Sequence, residues 1–224
     1  MWKVEFHCHT HRSPDSLTLP RDLVAAARRA GLDRVIVTDH NSLRGALEAQ
    51  AYDEELIIVG EEVQTTFGEF LAAFVTEEVP EGLPPEEALA RLKAQGAFIS
   101  VSHPHDAWRS GWTAAQLEWL AGEVDAFEVF NARVWFGSWN RKAAAFAAAH
   151  NLAGTAGTDA HTAAELGRTY LELPPFSTAD ELRAAVKQGR VVGKLAPWTV
   201  HWHSTVAKGK VRDKKSESRD LVVR

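Results

Sequence analysis

Short apolar runs of four to six residues alternate along this chain with amphipathic stretches of helical period. Trp2 to Phe6 alternates as a strand does and runs into histidines. Leu19 to Arg29 has the helical period, with Pro20 in its first turn and Gly31 as its stop. Arg34 to Thr38 reads as a buried strand ending at Asp39 and His40, and Ser42 to Ala51 as a helix capped by Ser42. Glu55 to Val59 is a strand ending at Gly60-Glu61-Glu62, and Phe70 to Val75 is another strand. A helix over Pro85 to Gln95 leads to a strand over Ala97 to Val101, which ends at Ser102-His103-Pro104. Thr113 caps a helix reaching Ala121, and Ala126 to Phe130 is a strand ending at Asn131. A helix over Ser138 to His150 precedes a strand over Leu152 to Thr155, which ends at Gly157-Thr158-Asp159. The last unit has a strand over Thr169 to Leu173, a helix over Ala179 to Lys187 and a strand over Val191 to Lys194.

Six or seven such alternations predict an α/β fold with a parallel sheet, open or closed. The polar residues decide between the two. His7, His40, Glu62, His103, Asn131 and Asp159 each lie just past the C-terminal end of a predicted strand. A barrel gathers those ends into one ring, whereas an open sheet spreads them along a line. Convergence of so many ligand-type residues therefore predicts a closed or nearly closed barrel over residues 1–203. Residues 204–224 lack apolar periodicity and are expected to form a basic, flexible tail.

A chain of 224 residues is long enough for one such core, and 45% apolar with 25% charged residues is the balance of a soluble globular protein. No apolar run is long enough to span a bilayer, and the first residues lack a secretory pattern. A single cysteine, Cys8, excludes an internal disulfide. The expectation is a cytoplasmic protein with no membrane partner. Lys208 to Arg224 holds seven basic and three acidic residues, a net +4, which leaves −9 on the remainder of a chain of formal charge −5. An acidic body argues against a broad nucleic-acid surface, and bound cations would offset part of its charge.

His7 and His9 in Phe6-His7-Cys8-His9-Thr10 point the same way on an extended segment, so both reach one metal ion while Cys8 turns into packing. His11 lies in the following loop and reads as solvated. Asp39 beside His40 reads as a carboxylate that orients the imidazole. Asp15 follows a proline, and Glu61 and Glu62 crowd two carboxylates where a cation is a natural partner, one of the two being solvated. His103, and the Asp159-Ala160-His161 repeat of the i, i+2 geometry, complete the set.

Five segments, Phe6-His7-Cys8-His9-Thr10, Thr38-Asp39-His40-Asn41, Gly60-Glu61-Glu62, Ser102-His103-Pro104 and Gly157-Thr158-Asp159-Ala160-His161-Thr162, resemble in order and spacing the motifs of the polymerase and histidinol phosphatase (PHP) family. The resemblance runs from His7 to about Val192. It implies a distorted seven-stranded (β/α)7 TIM-like barrel carrying two or three divalent metal ions, Mn, Zn or Fe. Carried over by motif, His7, His9, Glu62 and Asp159 hold a first ion, and Asp15, His40 and His161 a second. Glu62 bridges to a third, which also uses His103. Many members supply a histidine to that third site where this chain has Glu69, and a carboxylate also binds such metals.

The resemblance implies hydrolysis of phosphate esters, and its metal ligands point to a metal-bound hydroxide as the attacking group, without a covalent nucleophile. Phosphate oxygens beyond the ions need cationic partners, and Arg109 and Arg133 are the candidates. His105 is a candidate donor to a leaving oxygen. Trp108, Trp112, Trp135 and Trp139 read as packing near the rim. The leading substrate is a small phosphorylated metabolite or nucleotide cleaved as a monoester. Short nucleic acid cleaved by a phosphodiesterase or exonuclease is a second reading, and a non-catalytic interaction module on the same fold is a third. Sequence is silent on oligomeric state.

Overall fold

The computed structural model describes residues 1–109 and 111–200. The tail expected over 204–224 lies outside the described residues. The strands are β1 (Trp2–Glu5), β2 (Arg34–Val37), β3 (Ile57–Gln64), β4 (Glu69–Ala73), β5 (Phe98–Val101), β6 (Ala126–Asn131), β7 (Ala153–Gly157), β8 (Thr169–Leu173) and β9 (Arg190–Gly193). Between them run α1 (Pro20–Arg29), α2 (Arg44–Gln50), α3 (Pro85–Ala94), α4 (Ala114–Leu120), α5 (Gly137–Ala149) and α6 (Ala179–Ala185). Thr113 caps α4 by accepting from the Gln116 amide, as its sequence position suggests. Ser42 does not cap α2; its hydroxyl bonds Glu78, and the helix begins at Arg44.

All nine strands form one sheet in the order β7-β6-β5-β4-β3-β2-β1-β8-β9. Its ends approach each other, with β7 lying against β8 and β9. Beyond β1 and β7 the two chains are stitched directly. The Asp159 amide donates to the His7 carbonyl at 2.8 Å, and the His9 amide to the Ala160 carbonyl at 2.9 Å. Glu5 reinforces the seam from a fully buried position, accepting from the Thr158 amide and hydroxyl, each at 2.7 Å. The sheet is thus a nearly closed barrel.

Two features depart from a simple (β/α)7 ring. Among the described residues the sheet has nine strands, because β8 pairs antiparallel with β1 and β9, which returns after α6, pairs antiparallel with β8. β4 is antiparallel to both β3 and β5, because β3 reaches it through a short turn with no helix between them. That hairpin also lengthens β3, so Glu61 and Glu62 lie within the strand rather than beyond it. Asn131 likewise is the last residue of β6.

Val4, Phe6, Ile36, Ile58, Phe98, Ala126 and Ala156 form one apolar cluster, with Phe6 and Phe98 ring centroids 6.1 Å apart. Along their strands these residues precede the polar ones, so an apolar layer supports a polar one at the C-terminal ends. The outer faces are covered by helices, Leu23, Ala27, Ala46 and Ala49 packing on Val35 and Val37. α2 comes so close that a Cβ on Gly45 would lie 2.0 Å from Asp39 Oδ2 and 2.1 Å from Thr10 Oγ1. We expect Gly45→Ala to overpack this contact and cost about 1–3 kcal/mol of stability, read by denaturant unfolding. An unchanged midpoint would show that the helix is not seated as described.

Candidate metal centre

The extension of β1 turns two imidazoles into the polar layer. The His7 and His9 rings are buried, with their Nε2 atoms 3.1 Å apart. Cys8 points away, as expected, its sulfur 3.6 Å from the Ile36 carbonyl within the core behind β2. The outward ring nitrogens fix where each neutral ring carries its proton. His7 Nδ1 donates to Glu128 Oε1 at 3.0 Å. His9 Nδ1 donates to Ser13 Oγ at 3.1 Å, because the Ser13 hydroxyl gives its own proton to Asp39 Oδ1 at 2.7 Å. His161 Nδ1 faces the Asp159 carbonyl at 2.8 Å, and a carbonyl only accepts. In its neutral form each ring would aim an Nε2 lone pair inward, although for His7 the carboxylates of Glu62, Asp159 and Glu128 outweigh burial and favour a second proton there until a cation takes its place.

Carboxylates surround these lone pairs. Glu62 Oε2 lies 3.2 Å from His7 Nε2, 3.5 Å from His9 Nε2 and 3.1 Å from His40 Nδ1. Asp159 Oδ1 is 3.5 and 3.3 Å from the same His7 and His9 nitrogens. Asp15 Oδ1 is 3.2 Å from His161 Nε2 and 3.6 Å from His40 Nε2. His103 Nε2 is 3.4 Å from Glu62 Oε1 and 3.2 Å from Glu69 Oε2. Glu62 thus serves one set of partners with Oε2 and another with Oε1. Three overlapping groups, His7–His9–Asp159, His9–His40–His161 and His40–Glu62–Glu69, each keep their ligand atoms within 4.8 Å of one another. The side chains close on a cavity of about 170 Å³, to whose wall Arg109 contributes.

So many acceptors cannot share so small a space without positive charge. Protons supply some of it. Burial pushes His40 down, but Glu62 and Asp15 outweigh it and hold the imidazole up to about 10. Burial and Arg109 push His103 down, yet Glu62 and Glu69 hold it up to about 9. His9 goes the other way, lowered to about 3 by burial and by the neighbouring His161. Burial pushes Glu62 and Asp159 up, but both sit well below the usual carboxylate range, because facing histidines, joined at Asp159 by Arg109, outweigh it. The donor set, imidazole and carboxylate without thiolate, fits divalent metal ions.

The sequence brought nine residues forward as ligands, and the structure brings all nine, His7, His9, Asp15, His40, Glu62, Glu69, His103, Asp159 and His161, into this cluster. Arg109 is there too, its guanidinium bonded to Asp159 and held from behind by Asp106 at 2.8 Å. Other expectations need correction. Arg133 is buried away from the cavity, donating to Glu165 Oε2 at 2.8 Å and the Val200 carbonyl at 3.3 Å. Glu165 in turn accepts from the His161 and Thr162 amides, so Arg133 braces the His161 loop rather than a phosphate. His105 packs its ring edge-on against Phe146 of α5, 6.0 Å between centroids, and does not line the cavity.

Asp39 does not orient His40. It accepts from the Thr10 amide and hydroxyl and from Ser13, all at 2.7 Å, and so supports His9 instead. Glu61 is buried rather than solvated, on the other face of β3, where it accepts from the Val79 amide at 3.1 Å. His11 stays outside the cluster, in a separate cleft beside Leu19 and Tyr52. Trp112 packs against Phe70 as expected, but Trp108 is 63% exposed, in edge contact with Trp135 and Trp139. Sequence reasoning passed over Glu128, Ser13, Glu5 and Asp106. A lone acid inside an otherwise apolar strand was a signal for Glu128; the loop residues Ser13 and Asp106 carried none.

The chain matches the model of the PHP domain over residues 5–116 and that of a PHP-associated region over residues 137–191. An uncharacterized protein of Methanocaldococcus jannaschii, MJ0417, is 34% identical over 220 residues, which covers 90% of this chain and 89% of that one. The chain belongs to the PHP-domain family. Among solved structures, a two-domain Bacteroides vulgatus protein described as containing a PHP-like metal-dependent phosphoesterase superposes with a TM-score of 0.71 at 21% identity. The match covers 86% of this chain and 65% of that longer one. The lesion-specific endonuclease PfuEndoQ of Pyrococcus furiosus superposes with a TM-score of 0.58 at 17% identity, over 85% of this chain and 57% of its own.

In this PHP domain, ions would compete with protons for the same imidazoles. Below the raised values of His40 and His103 these rings hold protons that an ion must displace, so uptake should release protons and tighten as pH rises. Calorimetric titration with Zn or Mn in buffers of different ionisation heat, between about pH 6 and 9, reads both effects. Affinity independent of pH, with no proton released, would contradict the cluster described here.

Proposed function

We propose that this PHP domain hydrolyses phosphomonoesters of small molecules at a cluster of two or three divalent ions. The supporting observation is the cavity of about 170 Å³, where imidazoles and carboxylates converge beside Arg109. His7, His9, Glu62 and Asp159 would hold one ion, and Asp15, His40 and His161 a second. Glu62 Oε1, Glu69 and His103 would hold a third, with Glu62 bridging. Mn, Zn or Fe suits these nitrogen and oxygen donors. When bound, the ions supply Lewis acidity and activate water near neutral pH.

The chain's own groups do the rest. Arg109, braced by Asp106, sets a guanidinium at the edge of the cavity for a phosphoryl oxygen. The outward hydrogen bonds of His7, His9 and His161 keep their rings from rotating. No side chain is needed as a covalent nucleophile, and Cys8 faces the core.

The approach to the site favours a small substrate over a polyanion. A wider cleft of about 880 Å³ shares Asp15, His40 and Glu69 with the cavity and adds Glu78 and Glu81. Arg12 on its rim is paired with Glu48. Such an acidic entrance repels a nucleic-acid backbone. Cleavage of short nucleic acid remains the second reading, favoured by the shared fold of an endonuclease. A non-catalytic module has no use for nine converging ligand groups.

Activity against phosphomonoesters, dinucleotide diesters and short oligonucleotides, each with Mn, Zn and Fe, tests the reading. Monoesters should turn over fastest, and chelation should stop turnover. His40→Ala and Asp159→Ala should each lower turnover on the order of 100-fold or more while the fold persists by circular dichroism. Near-normal turnover in both would sink the ligand assignment. Arg109→Ala should lower kcat/KM by about 10–100-fold, the worth of one charged hydrogen bond.

A further inference from the structure

The buried carboxylate behind His7, Glu128, reaches further than that one ring. Glu128 is 1% exposed and lies outside the cavity wall, yet it touches two ligands of that cluster. Its Oε1 accepts from His7 Nδ1 at 3.0 Å. Its Oε2 accepts from the backbone amide of His103 at 2.8 Å and from Asn131 Nδ2 at 3.1 Å. The same Asn131 nitrogen lies 3.2 Å from Asp159 Oδ2. One carboxylate on β6 thus meets groups following β1 and β5, and through Asn131 one following β7.

The backbone is shaped for this arrangement. Glu128 and Asn131 are three residues apart, so on a regular strand they would face opposite sides. The pairing of β6 with β7 shifts register between Glu128 and Phe130, and this irregularity turns both polar side chains inward. Opposite Asn131, β7 ends in Gly157, where a Cβ would lie 2.4 Å from His7 Cβ and 3.1 Å from Glu128 Oε1. His103 has φ of +24°, a backbone state that non-glycine residues rarely adopt, and its amide is the one Glu128 holds.

We propose that Glu128 is a positioning residue that pins the His7 proton to Nδ1 and holds His103 in its strained conformation, tying together the His7 and His103 sides of the ion cluster. It rests on the metal-centre reading above. A carboxylate behind a metal-bound imidazole aligns the ring and strengthens it as a ligand, and its loss typically costs about 10–100-fold in metal affinity. The swap Glu128→Gln keeps size and shape but places an amide N–H₂ where an acceptor stood. With its oxygen kept on the His103 amide, the glutamine would present a donor to His7 Nδ1, which already carries a proton.

The test compares Glu128→Gln with the parent protein by calorimetric titration with Zn, and by proton and nitrogen NMR of the Zn-saturated forms. The parent should show a hydrogen-bonded, slowly exchanging proton on His7 Nδ1. The folded variant should lose that resonance and bind Zn about 10–100-fold more weakly. A folded variant that binds Zn as tightly as the parent would overturn the proposal while leaving the metal-centre reading intact. If the variant does not fold, the parent spectrum decides, since a Zn-bound His7 with its proton on Nε2 overturns the proposal. A parent that takes up no Zn would overturn both readings.

Discussion

Crowding of electron pairs at one end of the barrel is the constraint on which the rest of this structure depends. His7 and His9 bring two Nε2 atoms within 3.1 Å, and Glu62 and Asp159 add carboxylate oxygens at 3.2 to 3.5 Å. Left alone these groups would swing apart or be neutralised by protons. They stay because each is held from outside. Glu5 and Asp39 act in parallel here. Each is a buried acid that accepts the amide and hydroxyl of one threonine, Thr158 or Thr10, and so fixes the segment carrying a ligand. Arg133 and Glu165 do the same for the loop of His161. The surrounding network thus maintains an arrangement that divalent cations would stabilise.

The positions of the ligands were legible in the sequence because they follow apolar runs. Phe6, Val37, Val101 and Ala156 end strands or follow them closely, and imidazoles or carboxylates come next, so strand ends and chemistry could be read together. Spacing of two was equally informative for His7 with His9. Topology was less visible. Nothing in Phe70-Leu71-Ala72 says that this strand runs antiparallel, because direction is decided by the short turn after β3. The extra antiparallel pair of β8 and β9 is likewise set by the pairing of β8 with β1, not by any local pattern.

The residues that support the ligands were largely illegible. Glu128 and Asn131 face the same way only because of the irregularity in β6, and alternation rules assume regular strands. Arg133 follows Asn131 closely, which makes it look like a phosphate partner. Its partner Glu165 lies 32 residues away, and only the fold shows that the two meet. Asp39 follows the same logic, because its adjacency to His40 suggested a contact that three closer donors take up. Adjacency along the chain predicted location well and hydrogen-bond partners poorly.

The shape of the site adds a limit on what reaches it. The ligand cavity is small, and the larger cleft beside it carries the acids Asp15, Glu69, Glu78 and Glu81 on its walls. Under the proposed phosphomonoesterase reading, that approach would suit a compact ester with a neutral or cationic remainder better than a long anionic strand. Among the described residues, no helix is long and apolar enough to cross a membrane.

The central claim is that these side chains share divalent ions, and anomalous diffraction from crystals soaked in Mn or Zn tests it most directly. The account predicts anomalous peaks inside the cavity, within bonding distance of His7, His9 and Asp159 and of Asp15, His40 and His161. Crystals with that cavity ordered but free of anomalous signal, at saturating metal and neutral pH, would contradict it.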